Sequence, residues 1–283
     1  MPSSNHSLGA SKHTNTQYEE KVTGGTIVDK NEPGKTTGSY LPGTEVKVAF
    51  TGSTGIEDQF EKWTLSGTKP TDLPNDWQSK PSFSFTMPEG DVTLKAGYKT
   101  VYNVSVDDGK GTILVNGVAG SRALAGDKIT VTETGSDEHH LFSSWKLTSS
   151  TALVNPSENW QTSKEFTFTM PAGDVSLKAD YKQLYNLTVT GGTIVNGTST
   201  GIYLPGTEVT VVFDDSHDIA KQFKQWKSTD TEPEAPTAGW PEGGWQNSKK
   251  FTFKMPTGNV TLEAEYKTVY NVSVDDGKGT ILV

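Results

Sequence analysis

The stretch that decides the fold is Thr100–Val115, TVYNVSVDDGKGTILV, which recurs letter for letter as Thr268–Val283. Alignment outward from these two copies places unit starts at four tyrosines, spaced by 84, 83 and 85 residues: Tyr18, Tyr102, Tyr185 and Tyr270. Units of this length are longer than the roughly 20 to 45 residues of most solenoid repeats. The sequence therefore predicts a row of small globular units, each with a core of its own.

The units alternate between two types. The first and third share the stretches TGGTIV and YLPGTEV, which the second lacks. We predict a flexible polar arm over residues 1–17, repeat 1 of type A over 18–99, repeat 2 of type B over 100–182, repeat 3 of type A over 183–267, and the first hairpin of a partial repeat 4 of type B over 268–283. The arm has no apolar run of the kind that a secretory signal contains.

Each unit opens with an alternating segment. In the second unit Tyr102, Val104 and Val106 fall on one face, which is the period of a half-buried strand. The glycine-rich stretch that follows, such as residues 107–111, predicts a tight hairpin turn. Later in each unit, Leu-Pro-Gly-Thr predicts a type II turn before a further strand. The second unit has Ala125 in place of this proline, which leaves its turn type open.

The middle of each unit carries a Phe-x-x-Trp pair, which we expect to anchor the core. The pairs are Phe60 with Trp63, Phe142 with Trp145, and Phe223 with Trp226. In the third unit the apolar spacing fits either a short helix or a bent strand. The stretches after the pairs are rich in Pro, Gly, Asn and Thr and predict long surface loops: residues 66–81, 149–164 and 228–249.

Composition excludes several classes of protein. The net charge is −9, from 25 Lys and Arg against 34 Asp and Glu, which disfavours nucleic acid as a partner. The sequence has no apolar run of the length needed to span a bilayer, so we expect no membrane insertion in this stretch. It also lacks cysteine and the familiar catalytic and nucleotide-binding motifs, so we expect no catalytic residue, cofactor or metal site.

The ends of the units carry a further pattern, Phe-Thr-Phe-x-Met-Pro-x-Gly followed by Asp or Asn, Val, and an alternating strand that ends in tyrosine. Together with the glycine-rich opening and the Phe-x-x-Trp pair, this pattern over residues 18–283 resembles the divergent internalin-B B-repeat family. The resemblance implies an all-β to β-rich fold of tandem small β-sheet modules, with a β-grasp-like form containing a short helical turn as one version. It also implies an extracellular location at the bacterial cell surface. Only three residues separate the closing tyrosine of one unit from the opening tyrosine of the next, so we expect a head-to-tail rod.

The second tryptophan of each unit lies in the long loop and has two interpretations. Trp77, Trp160 and Trp245 are each followed by glutamine, and each ring either packs over the core or stacks on a sugar. Trp240 joins Trp245 in the stretch WPEGGW, which makes this loop the strongest candidate for a ligand or partner surface.

Three functions follow from these features. The first is a non-catalytic, stiff spacer or stalk for display or adhesion. The second is a subunit of an extracellular filament, assembled head to tail as the partial repeat adds a strand to another copy of the chain. The candidate assembly residues are Tyr270, Val272, Val274, Ile281 and Val283. The third is a module that binds a glycan or a host or matrix surface through the loop tryptophans.

Overall fold

The computed structural model describes residues 16–28, 34–195, 197–215, 218–270 and 272–274. Their regular structure is β-strand with a few 3-10 turns, so the predicted β-rich class of tandem units is confirmed. Each unit has two small sheets, and buried residues of both sheets belong to one core. The sheets therefore face each other as a sandwich.

The strands of the first unit are β1 (Tyr18–Thr23), β2 (Gly25–Ile27), β3 (Thr37–Tyr40), β4 (Glu45–Phe50), β5 (Phe60–Gly67), β6 (Ser82–Thr86) and β7 (Val92–Tyr98). One sheet has the order β3-β1-β7-β5 and the other β2-β4-β6. In the first sheet β1 and β7 are parallel, and the other pairs are antiparallel.

The strands of the second unit are β8 (Val101–Val106), β9 (Gly111–Val115), β10 (Val118–Ala119), β11 (Arg122–Leu124), β12 (Lys128–Glu133), β13 (His140–Leu147), β14 (Glu165–Thr169) and β15 (Val175–Gln183). Its sheets have the orders β11-β8-β15-β13 and β10-β9-β12-β14. The first and last strands, β8 and β15, are again parallel neighbours.

The strands of the third unit are β16 (Tyr185–Thr190), β17 (Gly192–Ile194), β18 (Thr200–Tyr203), β19 (Glu208–Phe213), β20 (Phe223–Ser228), β21 (Lys250–Lys254) and β22 (Val260–Tyr266). Their sheets, β18-β16-β22-β20 and β17-β19-β21, repeat the arrangement of the first unit. The opening strand β16 pairs in parallel with the closing strand β22.

The hairpin predicted at the start of each unit is wrong in the three described units. The opening strand lies in one sheet and the next strand in the other, so the glycines mark a corner between sheets. In the first unit Gly24 has a φ of +74°, and a Cβ on Gly25 would lie 2.5 Å from the indole of Trp63. The corner therefore needs one glycine for its backbone conformation and a second for the close approach of the core tryptophan. The corresponding hairpin of partial repeat 4 lies outside the described residues.

The turn at Ala125, whose type the sequence did not decide, has the same form as the corresponding turns of the other two units. Its backbone N–H at Asp127 donates to the carbonyl of Leu124 over 3.1 Å, and Gly126 has a φ of +96°. The Pro-Gly turns of the other units make the same contact, with φ values of +86° at Gly43 and +80° at Gly206. Glycine at the third position thus permits the type II turn without proline.

The Phe-x-x-Trp pairs lie on bent strands, which settles the alternative in the third unit. Residues three apart on a regular strand point to opposite faces, but β5, β13 and β20 each contain a bulge directly after the phenylalanine. The extra residue brings both aromatic rings to the core side, 5.6–5.9 Å apart. In the third unit a 3-10 turn over Ile219–Lys221 precedes this strand.

Each core tryptophan also holds the long loop of its unit. The indole N–H donates to a backbone carbonyl at 3.0 Å, from Trp63 to Lys80, from Trp145 to Ser163 and from Trp226 to Ser248. Each acceptor lies three residues after the loop tryptophan. The same bond in three loops of different sequence fixes the place where each loop returns to the sheet.

The Asp or Asn of the closing motif connects the first and last strands. Asp91, Asp174 and Asn259 each accept the backbone N–H of the residue after the opening tyrosine, over 2.8, 2.7 and 2.9 Å. The side-chain oxygen therefore supplies an acceptor at the start of the parallel pair. This contact explains why the motif has either an acid or its amide at this position.

We expect Trp226→Phe to release the loop of the third unit, because phenylalanine fills most of the same space but has no N–H to donate. The loss of the donor leaves the Ser248 carbonyl without its partner and lowers the stability of this unit by about 1 to 3 kcal/mol. Hydrogen exchange measured by mass spectrometry checks this, with faster exchange expected in residues 229–248. The loops of the first two units are internal controls, and equal acceleration in all three loops would contradict the assignment.

We expect Asp174→Ala to loosen β8 from β15, because the backbone N–H of Asn103 loses its acceptor. A destabilisation of about 1.5 to 3 kcal/mol is expected for a hydrogen bond to a charged acceptor. Asp174→Asn keeps an acceptor oxygen, as Asn259 does in the third unit, and is the matched control. Hydrogen exchange in residues 101–106 measures the effect, and equal exchange in the two variants would rule this role out.

Candidate functional site

The loop tryptophans pack on the cores of their own units. Trp77, Trp160 and Trp245 lie 5.5, 5.4 and 5.3 Å, between ring centroids, from the first phenylalanine of the Phe-x-Phe strand: Phe83, Phe166 and Phe251. Trp245 is buried, and Trp77 and Trp160 are partly buried. Most of each ring is therefore occupied by packing rather than available for stacking.

Trp240 is the remaining tryptophan of the predicted recognition surface. Its ring centroid lies 6.3 Å from that of Trp245, and the ring is partly buried against the third core. The structure thus brings Trp240 and Trp245 together, with Trp240 forming the more exposed part of the pair. A ligand at this loop would meet Trp240 first.

The long loops are also connected to the strands by carboxylates. Asp72 accepts hydrogen bonds from the side chain and backbone of Thr86, and these bonds lower its pKa. In the third unit Glu208 accepts the backbone N–H of Thr237 at 2.7 Å, and the bond to Thr237 lowers the pKa of this carboxyl. A carboxylate contact therefore connects the loop to a strand in the first unit and in the third.

The described part of partial repeat 4 has no regular secondary structure and pairs with no strand of the described residues. Tyr270, Val272 and Val274 have exposed fractions of 82%, 71% and 40%. The same sequence in the second unit forms β8, where Val104, the counterpart of Val272, is fully buried. Ile281 and Val283, the other predicted assembly residues, lie outside the described residues.

Glu20 on β1 is a buried carboxyl that sequence analysis missed. Its side chain has no exposed surface, and neither carboxyl oxygen has a hydrogen-bond partner among the described residues. Burial raises its pKa to about 8 from an ordinary 4.5. The aligned positions hold Val104 and Leu187, both fully buried, so an acid at an apolar position of the repeat is the sequence signal by which it could have been found.

Glu133 provides a contrast, because it is also largely buried but has partners. It replaces an aromatic residue, standing where the other units have Phe50 and Phe213. The backbone N–H of Ser136 donates to one oxygen, and the Lys164 ammonium lies 3.8 Å from the other. Of the two buried acids in the described part of the chain, Glu20 is therefore unpaired and Glu133 is not.

Contacts between consecutive units come from the segment before the Phe-x-x-Trp strand. In the first unit Glu57 pairs with Arg122 on β11 of the second unit. In the second unit the ring of His139 lies 3.1 Å from the side-chain nitrogen of Asn186 on β16. The carbonyl of His139 also accepts the backbone N–H of Leu184 at 2.8 Å. Both junctions therefore use the same segment with different chemistry.

The described residues contain no group of three or more potential ligand side chains arranged to hold a metal ion. No helix among them has the length and apolar character required to cross a bilayer.

We expect the first unit to lose stability as pH rises, because folded Glu20 keeps a proton that the unfolded chain releases. The free energy of unfolding begins to fall near pH 4.5 and continues to fall to about pH 8, by up to about 1.4 kcal/mol for each pH unit. Hydrogen exchange of β1 and β7, corrected for intrinsic rates, measures it, with the other two units as controls. Glu20→Val should remove the added dependence, and an unchanged pH profile in this variant would refute the explanation.

The sequence profile of one family, described as the divergent InlB B-repeat domain, matches residues 20–101, 102–184 and 185–270. Comparisons with curated proteins and with solved structures gave no significant match. The three matches cover most of the chain and coincide with three units that share sheet order, core tryptophan and loop contact. The chain therefore belongs to the divergent InlB B-repeat family.

Proposed function

We propose that this chain is a non-catalytic structural repeat region of a bacterial extracellular surface protein and acts as a stiff spacer or stalk. The observation that carries this proposal is the shortness of the connections. β7 ends at Tyr98 and β8 begins at Val101, while β15 ends at Gln183 and β16 begins at Tyr185. Connections of one or two residues leave consecutive units little freedom to reorient.

The contacts across the junctions support the same function. The Glu57–Arg122 pair and the contact of His139 with Asn186 add restraints to the covalent connection. Each unit also has a core of its own, without disulfides, so length can be added by repetition without a change in the fold. Family membership is consistent with a location at the cell surface.

Assembly of copies is a second candidate function. It is favoured by the exposed apolar side chains of Tyr270, Val272 and Val274, because exposed apolar surface marks contacts between chains. Ligand binding by the loop tryptophans stays a prediction, with Trp240→Ala as its test variant because Trp245 belongs to the core.

We expect the distance between the first and third units to have one narrow distribution. The chain has no cysteine, so spin labels can be attached at Lys47→Cys and Lys250→Cys, two exposed positions, and measured by pulsed electron resonance. A flexible Gly-Ser insertion after Leu184 should broaden the distribution, because it separates the second and third units. The same insertion after Gly243, within a loop, is the control. A broad distribution in the unmodified chain would contradict the spacer function.

A further inference from the structure

We propose that the outer face of the four-stranded sheet in the third unit binds a neutral sugar residue of a glycan. The site lies on β18, β16 and β22, and its lining includes none of the loop tryptophans. A cavity of about 370 Å³ opens on this face, within the range of roughly 300 to 1,000 Å³ that is common for small-molecule sites. The site would add a binding function to a chain whose spacer function does not depend on it.

The cavity is lined by two rows of side chains that cross the three strands. Leu187 on β16 is fully buried, so its neighbours Asn186 and Thr188 point away from the core. The register of β16 with β18 and β22 places one residue of each flanking strand beside them. The first row is Thr200, Thr188 and Thr261, and the second is Ile202, Asn186 and Asn259.

Several polar groups of these rows have unused hydrogen-bonding capacity. The hydroxyls of Thr188 and Thr200 make no hydrogen bond to the described residues. Asn259 accepts the backbone N–H of Asn186 at 2.9 Å through its side-chain oxygen, which leaves its own amide N–H groups available. Each hydroxyl can donate and accept, and the amide can donate. The face therefore offers both donors and acceptors, on strands that hold their spacing.

The chemistry of the lining favours an uncharged ligand. Asp230 is the charged residue of the lining, and its carboxylate accepts the Thr261 hydroxyl at 2.6 Å. A carboxylate repels an anionic ligand, whereas a metal cation such as Ca²⁺ takes about six to eight oxygen ligands, often from several carboxylates. Ile202 is 37% exposed and adds an apolar surface beside the polar groups. A sugar ring, with its hydroxyls and its apolar C–H face, matches both kinds of surface.

The equivalent face of the first unit has a different chemistry. Lys21 stands where the third unit has Thr188, between Thr37 and Thr93. Glu19 stands in the place of Asn186. The middle strand of the first unit therefore presents an ammonium and a carboxylate instead of a hydroxyl and an amide.

The second unit uses its hydroxyls internally. Ser105 lies opposite Ser176, and the two hydroxyls form a hydrogen bond of 3.0 Å with each other. Arg122 lies opposite Asn103, where the third unit has Ile202 opposite Asn186. Uncharged groups with free hydrogen-bonding capacity and an apolar neighbour thus occur together in the third unit, which is why the site is assigned there.

Nuclear magnetic resonance of the full chain, with labelled threonine and isoleucine methyl groups, tests the site. The probes are D-glucose, D-galactose, D-mannose and N-acetyl-D-glucosamine, each titrated into the millimolar range. We expect at least one of them to shift the methyl signals of Thr188, Thr200 and Ile202. D-glucuronic acid, whose carboxylate would meet Asp230, should bind roughly tenfold more weakly than the best neutral sugar.

Substitutions on the face test the role of the free hydroxyls. Thr188→Val removes a hydroxyl with little change of shape and should weaken binding roughly three- to tenfold, as expected for one neutral hydrogen bond. Thr188→Lys introduces the side chain of the first unit and should abolish binding. Thr37→Val, at the counterpart of Thr200 on the first unit, is the matched control and should leave binding unchanged. The methyl signal of buried Ile194 reports that the third unit stays folded.

Three outcomes would overturn the proposal. The first is the absence of methyl shifts in the two rows with all four neutral sugars. The second is a set of shifts at Thr237, in the loop of Trp240, without shifts in the two rows, because the sugar would then lie at the tryptophans. The third is equal weakening by Thr37→Val and Thr188→Val. The distance distribution between the first and third units tests the spacer function separately, so failure of one proposal is distinguishable from failure of the other.

Discussion

In each unit a buried tryptophan donates its indole N–H to the backbone of the long loop, and the other features of the unit are arranged around that ring. The ring requires a glycine at the corner between the sheets, because a Cβ added to Gly25 or Gly192 would lie only 2.5 Å from the indole of the core tryptophan. It also requires the bulge that turns the neighbouring phenylalanine toward the core. A loop of variable sequence is thereby attached at the same point in each unit.

Much of the fold is contained in the local pattern of the sequence. Alternation identified the opening and closing strands, and the Phe-x-x-Trp pairs identified the cores. The hairpin was mispredicted because alternation shows that a segment is a strand but not which of two facing sheets it joins. Gly24 and Gly25 look in the sequence like the glycines of a hairpin turn, but they form a corner between two sheets. The contact of Gly25 with Trp63 shows the difference, and the sequence does not reveal that contact. The bulge was not decided by the sequence either, because the apolar spacing of the third unit fits a short helix or a bent strand until the strand partner is known.

The candidate sites were less predictable, since burial depends on contacts between distant residues. The packing of Trp77, Trp160 and Trp245 on phenylalanines was one of two interpretations, and the sequence alone did not separate them. Glu20 was overlooked within a polar stretch, Glu19-Glu20-Lys21, whose composition suggests exposure. Alignment of the three repeats places Glu20 at the position that Val104 and Leu187 occupy in the other units. Internal repeats therefore provide information that a single domain lacks.

The parallel pairing of the first and last strands determines how the chain responds to mechanical load. A pull along the chain enters each unit at the start of its opening strand and leaves at the end of its closing strand. Because these strands are parallel neighbours, the tension acts along them in opposite directions and loads their hydrogen bonds together in shear. Four residue pairs share this load in the first and third units and three in the second, so the type B unit has the shorter clamp. Resistance to shear is thus a property of the strand order itself, present wherever the repeat is copied.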